Sequence, residues 1–95
     1  MLDPIKFTKL QRVTLTASQV TNIDTSTSGG YIIIQNLGPG SVFVDVSGGN
    51  ASATSWEILE GDIFPAPVKT AKVSLYSTGT PTVQVGEISY VKFSG

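Results

Sequence analysis

Apolar and polar positions alternate over short segments along most of the chain, and clusters of small or polar residues separate these segments. In "RVTLTAS", Val13 and Leu15 fall on one face, and "AKVSLYS" repeats the pattern with Val73 and Leu75. The segment "QVTNI" either extends the first strand or forms a short strand of its own. Alternation with a period of two is typical of strands that bury one face, so the pattern predicts an all-β chain of about seven or eight strands.

The most apolar part of the chain is "YIIIQNLGPGSVFVDV", two runs rich in β-branched residues around Gly38-Pro39-Gly40. Proline fixes its own φ angle and glycine leaves φ free, a combination that suits a tight reversal. We therefore expect the two runs to pair as a β-hairpin. Both faces of "YIII" are apolar, which suggests a central strand covered on two sides.

Turn residues divide the remaining segments. "WEILEGDIF" predicts two strand pieces around a turn at Glu60-Gly61-Asp62, and the two prolines of "PAPVK" restrict it to a loop or an edge strand. The segments "DTSTSGG" and "GGNASATS" are polar or small throughout and are predicted to be loops.

The closing segment "TVQVGEISYVKF" changes its pattern part-way. Val83 and Val85 share one parity, whereas Ile88 and Tyr90 have the other, so we expect a β-bulge or a bend at Gly86. Taken together, the segments predict a small antiparallel β-sandwich or barrel. Jelly-roll-like and immunoglobulin-like topologies have similar strand counts, so the strand count leaves both topologies open.

The N-terminus "MLDPIKFTKLQR" has a different character from the rest. Asp3 could cap a short helix with Pro4 at its first position, but Thr and Phe are weak helix formers, and we favour an extended arm. The predicted organisation is an arm over residues 1–12 and a single β domain over residues 13–95.

This arm is the best candidate for a partner-binding segment. Residues 1–12 hold three basic residues and one acid, a local charge of +2, whereas the rest of the chain holds three lysines and six acids, a local charge of −3. Apolar anchors beside basic residues suit a strap across an acidic neighbour, the anchors supplying affinity and the charges steering. The predicted partner-binding residues are Leu2, Ile5, Lys6, Phe7, Lys9, Leu10 and Arg12.

The composition argues against most kinds of catalysis and metal binding. The chain has neither Cys nor His, so it lacks thiol nucleophiles, zinc–thiolate ligands and the usual general base. We predict no enzyme activity, no catalytic residues, no cofactor and no metal site. The net charge of −1 gives no pull toward nucleic acid, and no apolar run is long enough for a membrane span or a signal peptide. We expect a protein made in a cytoplasm that leaves it only as part of a particle.

Two clusters have a functional and a plainer interpretation. Glu57, Glu60 and Asp62 could bind calcium, but the spacing of a calcium loop is absent and a solvated turn is favoured. The aromatic residues, including Trp56, could stack on sugar rings, although a small sandwich also needs them for its core and margins.

The chain resembles small virion proteins of tailed bacteriophages in "IIIQNLGPGSVFVDVSGG", "ASATSWEILEGDIF" and "KVSLYSTGTPTVQVGEI". The shared pattern is an apolar strand ending in Asn, a small-residue turn, a Val-aromatic-Val strand, a Leu followed by Gly, and a late "V-x-L-x-S-x-G" segment. Its members are Asn36, Gly38 to Gly40, Val42 to Val44, Leu59 with Gly61, and Val73 through Gly79. The resemblance covers Tyr31 to Ile88.

The resemblance implies a non-enzymatic structural protein of a phage particle. Within that class the chain most resembles a decoration or cement protein, which binds the major capsid protein on the outside of the capsid, commonly as a trimer. The same pattern occurs in head fibres and in neck or tail components, which remain alternatives together with a carbohydrate-binding attachment module. The expected partners are therefore the major capsid protein and further copies of this chain, and the expected location is the capsid surface of a virion assembled in a bacterial cytoplasm.

Overall fold

A computed structural model of the chain describes residues 7–24, 31–67 and 72–88, and all the regular structure in these ranges is antiparallel β-strand. No helix within them is long and apolar enough to cross a membrane. The eight strands are β1 (Phe7–Thr14), β2 (Gln19–Asp24), β3 (Tyr31–Gly38), β4 (Val42–Asp45), β5 (Trp56–Ile58), β6 (Ile63–Pro67), β7 (Lys72–Ser77) and β8 (Thr82–Ile88).

The strands form two four-stranded sheets that pack face to face. Sheet A has the order β1-β8-β3-β6 and sheet B has the order β2-β7-β4-β5. Successive strands switch from one sheet to the other, except for β4 and β5, which are neighbours in sheet B. This alternation is the jelly-roll arrangement of eight strands in two sheets, and it resolves the choice that strand count left open. The all-β fold class is confirmed.

The predicted hairpin around Gly38-Pro39-Gly40 is wrong. β3 pairs with β6 and β8 in sheet A, while β4 pairs with β5 and β7 in sheet B. The three residues form a corner between the sheets. The Asn36 side chain occupies this corner, where it accepts a hydrogen bond from the Gly38 N–H (2.8 Å) and donates one to the Gly40 carbonyl (2.7 Å). A turn of this composition can therefore end one strand without pairing the next strand with it.

The predicted bulge at Gly86 is also wrong. Gly86 lies opposite Leu10 of β1 and Ile33 of β3, and the β8 register is continuous on both sides of it. The inward face continues as Val83, Val85 and Glu87, all of which are buried. In the β1–β8 pairing the irregularity lies instead on β1, between Phe7 and Lys9.

The boundary of the N-terminal arm moves toward the N-terminus. Phe7–Thr14 is strand β1 at the edge of sheet A, so the second half of the predicted arm belongs to the β domain. Residues 1–6, which include Leu2, Ile5 and Lys6, lie outside the described residues.

The core lies between the sheets and is built from inward-facing aliphatic side chains of both. The predicted inward positions are confirmed: Leu15, Val73 and Leu75 are buried, and Val13 packs against them. β3 is central in sheet A, as predicted, but only its inner face is covered within the described part of the chain. Its second apolar face bears the half-buried Ile33 and lines a groove on the surface.

The turn at residues 59–62 and the edge position of the proline-containing segment are as predicted. β5 and β6 are edge strands of opposite sheets, and the turn connects them. Pro65 and Pro67 fall on β6, where the missing N–H groups make the edge a poorer template for strand addition.

Candidate interaction surface

The outer face of sheet A carries a row of apolar side chains across three strands. Cross-strand pairing places Leu10, Gly86, Ile33 and Pro65 side by side. Because neighbouring strands are about 4.8 Å apart, these four positions span the whole sheet. Glycine has no side chain, so this row has a gap at its second position.

The gap is part of an open groove of about 270 Å³. Its lining comes from all four strands of sheet A: Leu10, Ile33, Gln35, Ile63, Gln84 and Gly86. The walls are aliphatic, and the two glutamine amides lie one row further along, opposite each other on β3 and β8. The groove therefore offers an apolar floor and walls with amide groups at one end.

This face has very little charge. Among its outward-facing side chains that the structure describes, Arg12 alone carries a formal charge. Its Nε donates a hydrogen bond to Oε1 of Gln84 at 2.9 Å, which places the guanidinium at the groove's rim. Beyond it, the hydroxyls of Thr14 and Thr82 are 3.0 Å apart. Protein interfaces are depleted in Lys, Asp and Glu and enriched in Arg and aromatic residues, and this face follows that composition.

The outer face of sheet B differs from that of sheet A in its charge and in being partly covered by a loop. It bears charges on all four strands, at Asp24, Lys72, Asp45 and Glu57. The loop at residues 46–55 also packs against it, since the Ala51 N–H donates to Oγ of Ser74 at 2.8 Å and both residues are buried. The contrast identifies the outer face of sheet A as the candidate interaction surface.

The start of this loop is fixed by Asp45. Its Oδ1 accepts hydrogen bonds from the Ser47 N–H (2.7 Å) and the Ser47 hydroxyl (2.6 Å). These bonds, led by the one from the hydroxyl, lower the pKa of the Asp45 carboxyl below its ordinary value, and the nearby Lys72 acts in the same direction.

A second apolar region lies on the open side of the sandwich, where β5 and β6 meet. We call it the Trp56 flank; it comprises Trp56, Leu59 and Phe64. Trp56 pairs with the core residue Val44, but β5 is the edge strand, so its ring extends beyond the core and is 69% exposed. The ring is tilted against that of Phe64, with centroids 6.4 Å apart.

Buried hydrogen bonds hold this flank to the β3–β4 corner. Asn36 is fully buried; besides its contacts at the corner, its Nδ2 donates to the Ile58 carbonyl at 2.9 Å. Its backbone N–H donates to the Asp62 carbonyl (3.0 Å), and its own carbonyl accepts from the Gly61 N–H (2.7 Å). The side chain of Asn36 thus connects the corner to the end of β5, and its backbone connects both to the turn.

Glu60 completes the same connection from the turn side. Its Oε1 accepts from the Gly40 N–H at 3.0 Å. Its side chain lies where a Cβ on Gly38 would be, at 2.6 to 2.7 Å, and Gly38 has φ of +80°, so glycine is required there for two reasons. The acids Glu57, Glu60 and Asp62 are exposed, as the solvated-turn interpretation expects. In the described ranges no three His, Cys, Asp or Glu side chains are grouped to hold a metal ion.

The predicted partner-binding residues are only partly brought together. Leu10 and Arg12 lie on the candidate interaction surface, Phe7 and Lys9 are in β1, and Leu2, Ile5 and Lys6 lie outside the described residues. Sequence reasoning missed Ile33, Ile63 and Gly86. A signal for Ile33 is present in the two apolar faces of "YIII", but the same pattern also predicts a strand with both faces covered.

Comparisons with known proteins support the fold and nothing finer. The chain matches no protein-family profile and no curated protein. Among solved structures it is similar to a de novo designed double-stranded β-helix studied by solution NMR, with 18% sequence identity and a TM-score of 0.62. The match covers 84% of this chain and 99% of the designed one. At this identity the similarity shows a shared fold and carries no statement about function.

Proposed function

We propose that this chain is a non-enzymatic structural protein of a bacteriophage particle, and specifically a decoration or cement protein that binds the major capsid shell. The observation that carries the proposal is the exposure of large hydrophobic side chains on so small a domain. Among the residues that the structure describes, seven of them are between 40% and 69% exposed: Leu10, Val20, Tyr31, Leu37, Trp56, Leu59 and Ile63. Leu10, Tyr31 and Ile63 share the outer face of sheet A, and exposed apolar side chains grouped on one face mark interaction sites, so the domain is suited to assembly.

The choice of a phage capsid rests on the resemblance of Tyr31 to Ile88 to small virion proteins and on the basic N-terminal segment. Leu10 and Arg12, two residues of this segment, are exposed on sheet A. A positive, apolar segment entering a low-charge face suits a shell surface that offers carboxylates at the rim of an apolar patch. Jelly rolls occur in viral capsid domains and also in lectins and cupins, so the fold alone does not choose among them.

The test is the copy number of this chain per particle, measured by quantitative mass spectrometry on virions purified from its source. A decoration protein is expected in hundreds of copies, in simple ratio to the major capsid protein. A copy number of tens or fewer would instead assign the chain to a tail, neck or fibre. Absence from the particle would overturn the virion proposal and favour an attachment module, which a glycan array would then examine.

A further inference from the structure

The four edge strands of the sandwich differ in their protection against the addition of another strand. An edge strand has unpaired backbone N–H and C=O groups, and proteins protect such edges with prolines, charges, irregular pairing or short length. β5 has three residues, and β6 contains Pro65 and Pro67. β1 contains Lys9 and Arg12, and its register shifts between Phe7 and Lys9. β2 has none of these features.

β2 is a regular edge strand of sheet B. It pairs with β7 at all six positions without a register shift, and β7 is its only neighbour among the described strands. It contains no Pro, Gly, Lys or Arg, and its one charged residue, Asp24, is at its end. Alternate residues of an antiparallel strand direct their backbone groups to opposite sides, so half of the β2 residues direct theirs away from β7.

The exposure of the side chains on β2 is that of a strand with one neighbour. Thr21 and Ile23 share the parity that faces the core, and Ile23 is buried. Thr21 is only half-buried, although it lies in the middle of the strand. A further strand beside β2 would cover Thr21 and extend the core.

The ranges outside the described residues adjoin the opposite end of the sandwich from the start of β2. The described residues next to these ranges pair with one another at one end of each sheet: Phe7, Ile88, Tyr31 and Pro67 in sheet A, and Asp24 and Lys72 in sheet B. Gln19 is at the other end, where the connections at residues 15–18, 39–41, 59–62 and 78–81 are all described. The first half of β2 therefore has described neighbours on every connection at its end.

A second copy of β2 matches this edge in direction and in side-chain faces. A two-fold axis perpendicular to sheet B makes the two strands antiparallel and leaves every side chain on its own face. With the axis at Thr21, this residue lies opposite Thr21 of the second copy, and Val20 lies opposite Asn22. On the inner face Gln19 lies opposite Ile23. Directly opposed Thr side chains form a stabilising cross-strand pair.

The charge of β2 also permits this self-pairing. In the register centred on Thr21, the two Asp24 carboxylates lie at opposite ends of the strand pair, each across from Ser18 of the other copy. Like charges that are directly opposed would destabilise the pairing, and this register has none. A second copy is therefore an occupant that matches the edge in backbone direction, side-chain faces and charge.

We propose that two copies of this chain associate through β2, in the antiparallel register centred on Thr21, and join their B sheets into one eight-stranded sheet. The contact uses the same surface of both copies, so it is isologous and closes as a dimer. The proposal goes beyond shell binding and does not depend on it. It also differs from the trimer that the resemblance implies, and it can be tested on the isolated chain.

Disulfide trapping tests the register directly, because the chain has no Cys and each introduced thiol is unique. In Thr21→Cys the two opposed Cα atoms would be about 4.5–5.5 Å apart, within the range that a disulfide spans. Val20→Cys and Asn22→Cys are matched controls on the same strand. Each would face its own counterpart along a diagonal of about 8 Å, which is too long for a disulfide.

The full-length variants are incubated with oxidised and reduced glutathione, and covalent dimers are counted by intact mass spectrometry. Thr21→Cys is expected to form at least about tenfold more dimer than either control alone, because pairing raises the effective concentration of the opposed thiols. A mixture of Val20→Cys and Asn22→Cys is expected to form disulfides between unlike chains, which their masses distinguish from dimers of like chains.

A charge at the axis tests the association without a covalent bond. Thr21→Lys places two ammonium groups face to face and is expected to weaken self-association at least about tenfold in analytical ultracentrifugation. Thr54→Lys makes the same charge change at an exposed position next to β5, the other edge of sheet B, and should associate as the wild type does. Thermal unfolding confirms that each variant is folded.

Four results would overturn the proposal: a wild-type chain that is monomeric at millimolar concentration, a wild-type chain that forms a trimer, Thr21→Cys that forms no more dimer than the controls, or a folded Thr21→Lys chain that associates as the wild type does. The last result would assign the association to another surface, such as the outer face of sheet A. No particle is needed for these measurements, so this inference and the proposed function fail separately.

Discussion

Asn36 is the residue on which the largest number of described buried hydrogen bonds converge. Its side chain accepts from the Gly38 N–H and donates to the carbonyls of Gly40 and Ile58. A buried polar group left without its partner costs about 1–3 kcal/mol, more than the bond itself contributes. The sequence placed Asn36 at the end of an apolar strand, but the groups its side chain binds come from two separate segments, the corner and β5.

We therefore expect Asn36→Ala to lower the free energy of unfolding by roughly 2–4 kcal/mol. Asn22→Ala is the control, because Asn22 is exposed on β2, and its effect should stay within about 0.5 kcal/mol. Urea unfolding followed by Trp56 fluorescence measures both. Similar losses in the two variants would show that the Asn36 network does not hold the corner.

A pH dependence is expected from Asp45. Because its pKa is lower in the folded chain than in the unfolded one, its carboxylate stabilises the fold at pH values above the unfolded pKa, and this contribution disappears as the pH falls through the folded pKa. Asp45→Asn retains an oxygen that accepts from Ser47 but does not ionise.

The wild-type chain should therefore lose more stability than Asp45→Asn between about pH 5 and pH 2, as measured by thermal unfolding at each pH. Asp24→Asn also removes a carboxylate from the outer face of sheet B and serves as the control. Parallel curves for the wild type and Asp45→Asn would contradict the assignment.

At the scale of elements, the N-terminal segment divides at residue 7. β1 pairs with β8 along its length, so Phe7 to Arg12 contribute to the sheet, and residues 1–6 precede it. The prediction of a single arm over residues 1–12 failed because "KFTKLQ" alternates too weakly to identify a strand. Its partner β8 is about 75 residues away in sequence, and pairing over that distance leaves no local signal.

Removal of residues 1–6 should change the free energy of unfolding by less than about 0.5 kcal/mol, because the pairing of β1 with β8 is retained. Removal of residues 1–12 should lower Tm by at least about 10 °C, because β8 loses its neighbour for most of its length. Differential scanning calorimetry of the two truncations compares them. If the proposed function holds, removal of residues 1–6 should also weaken attachment to capsids. Equal losses of Tm in the two truncations would indicate that residues 1–6 are part of the sheet.

At the scale of the whole molecule, the domain is small and exposes apolar surface on one sheet and one flank. Folding of a chain of 95 residues buries only about two thirds of its unfolded surface, so its free energy of unfolding is small. Association would add substantially to that free energy. Binding of a partner contributes about 2.7 kcal/mol when that partner is present at a hundredfold its Kd.

If the chain self-associates as the proposed function expects, Tm of the wild-type chain should rise by about 10 °C or more between a concentration below Kd and one a hundredfold above it. A capillary fluorescence melt across a dilution series measures this change. A Tm that is independent of concentration would show that the isolated chain does not associate.

The sequence by itself determined the fold class, the approximate number of strands and the inward face of some of them. Val13, Leu15, Val73 and Leu75 were placed correctly, because alternation along one strand is a local property that the pleat converts directly into two faces. The prolines after Phe64 likewise indicated an edge, since a missing N–H affects any pairing.

Only the tertiary structure decided which strands are neighbours. The two runs around Gly38-Pro39-Gly40 are adjacent in the chain and in different sheets, because a corner and a hairpin use the same turn residues. The surroundings of Gly86 were also decided by the tertiary structure. The sequence marked this glycine as unusual, but its neighbours Leu10 and Ile33 are brought to either side of it by long-range pairing. The groove exists only after the four strands of sheet A, which are distant in sequence, have been paired.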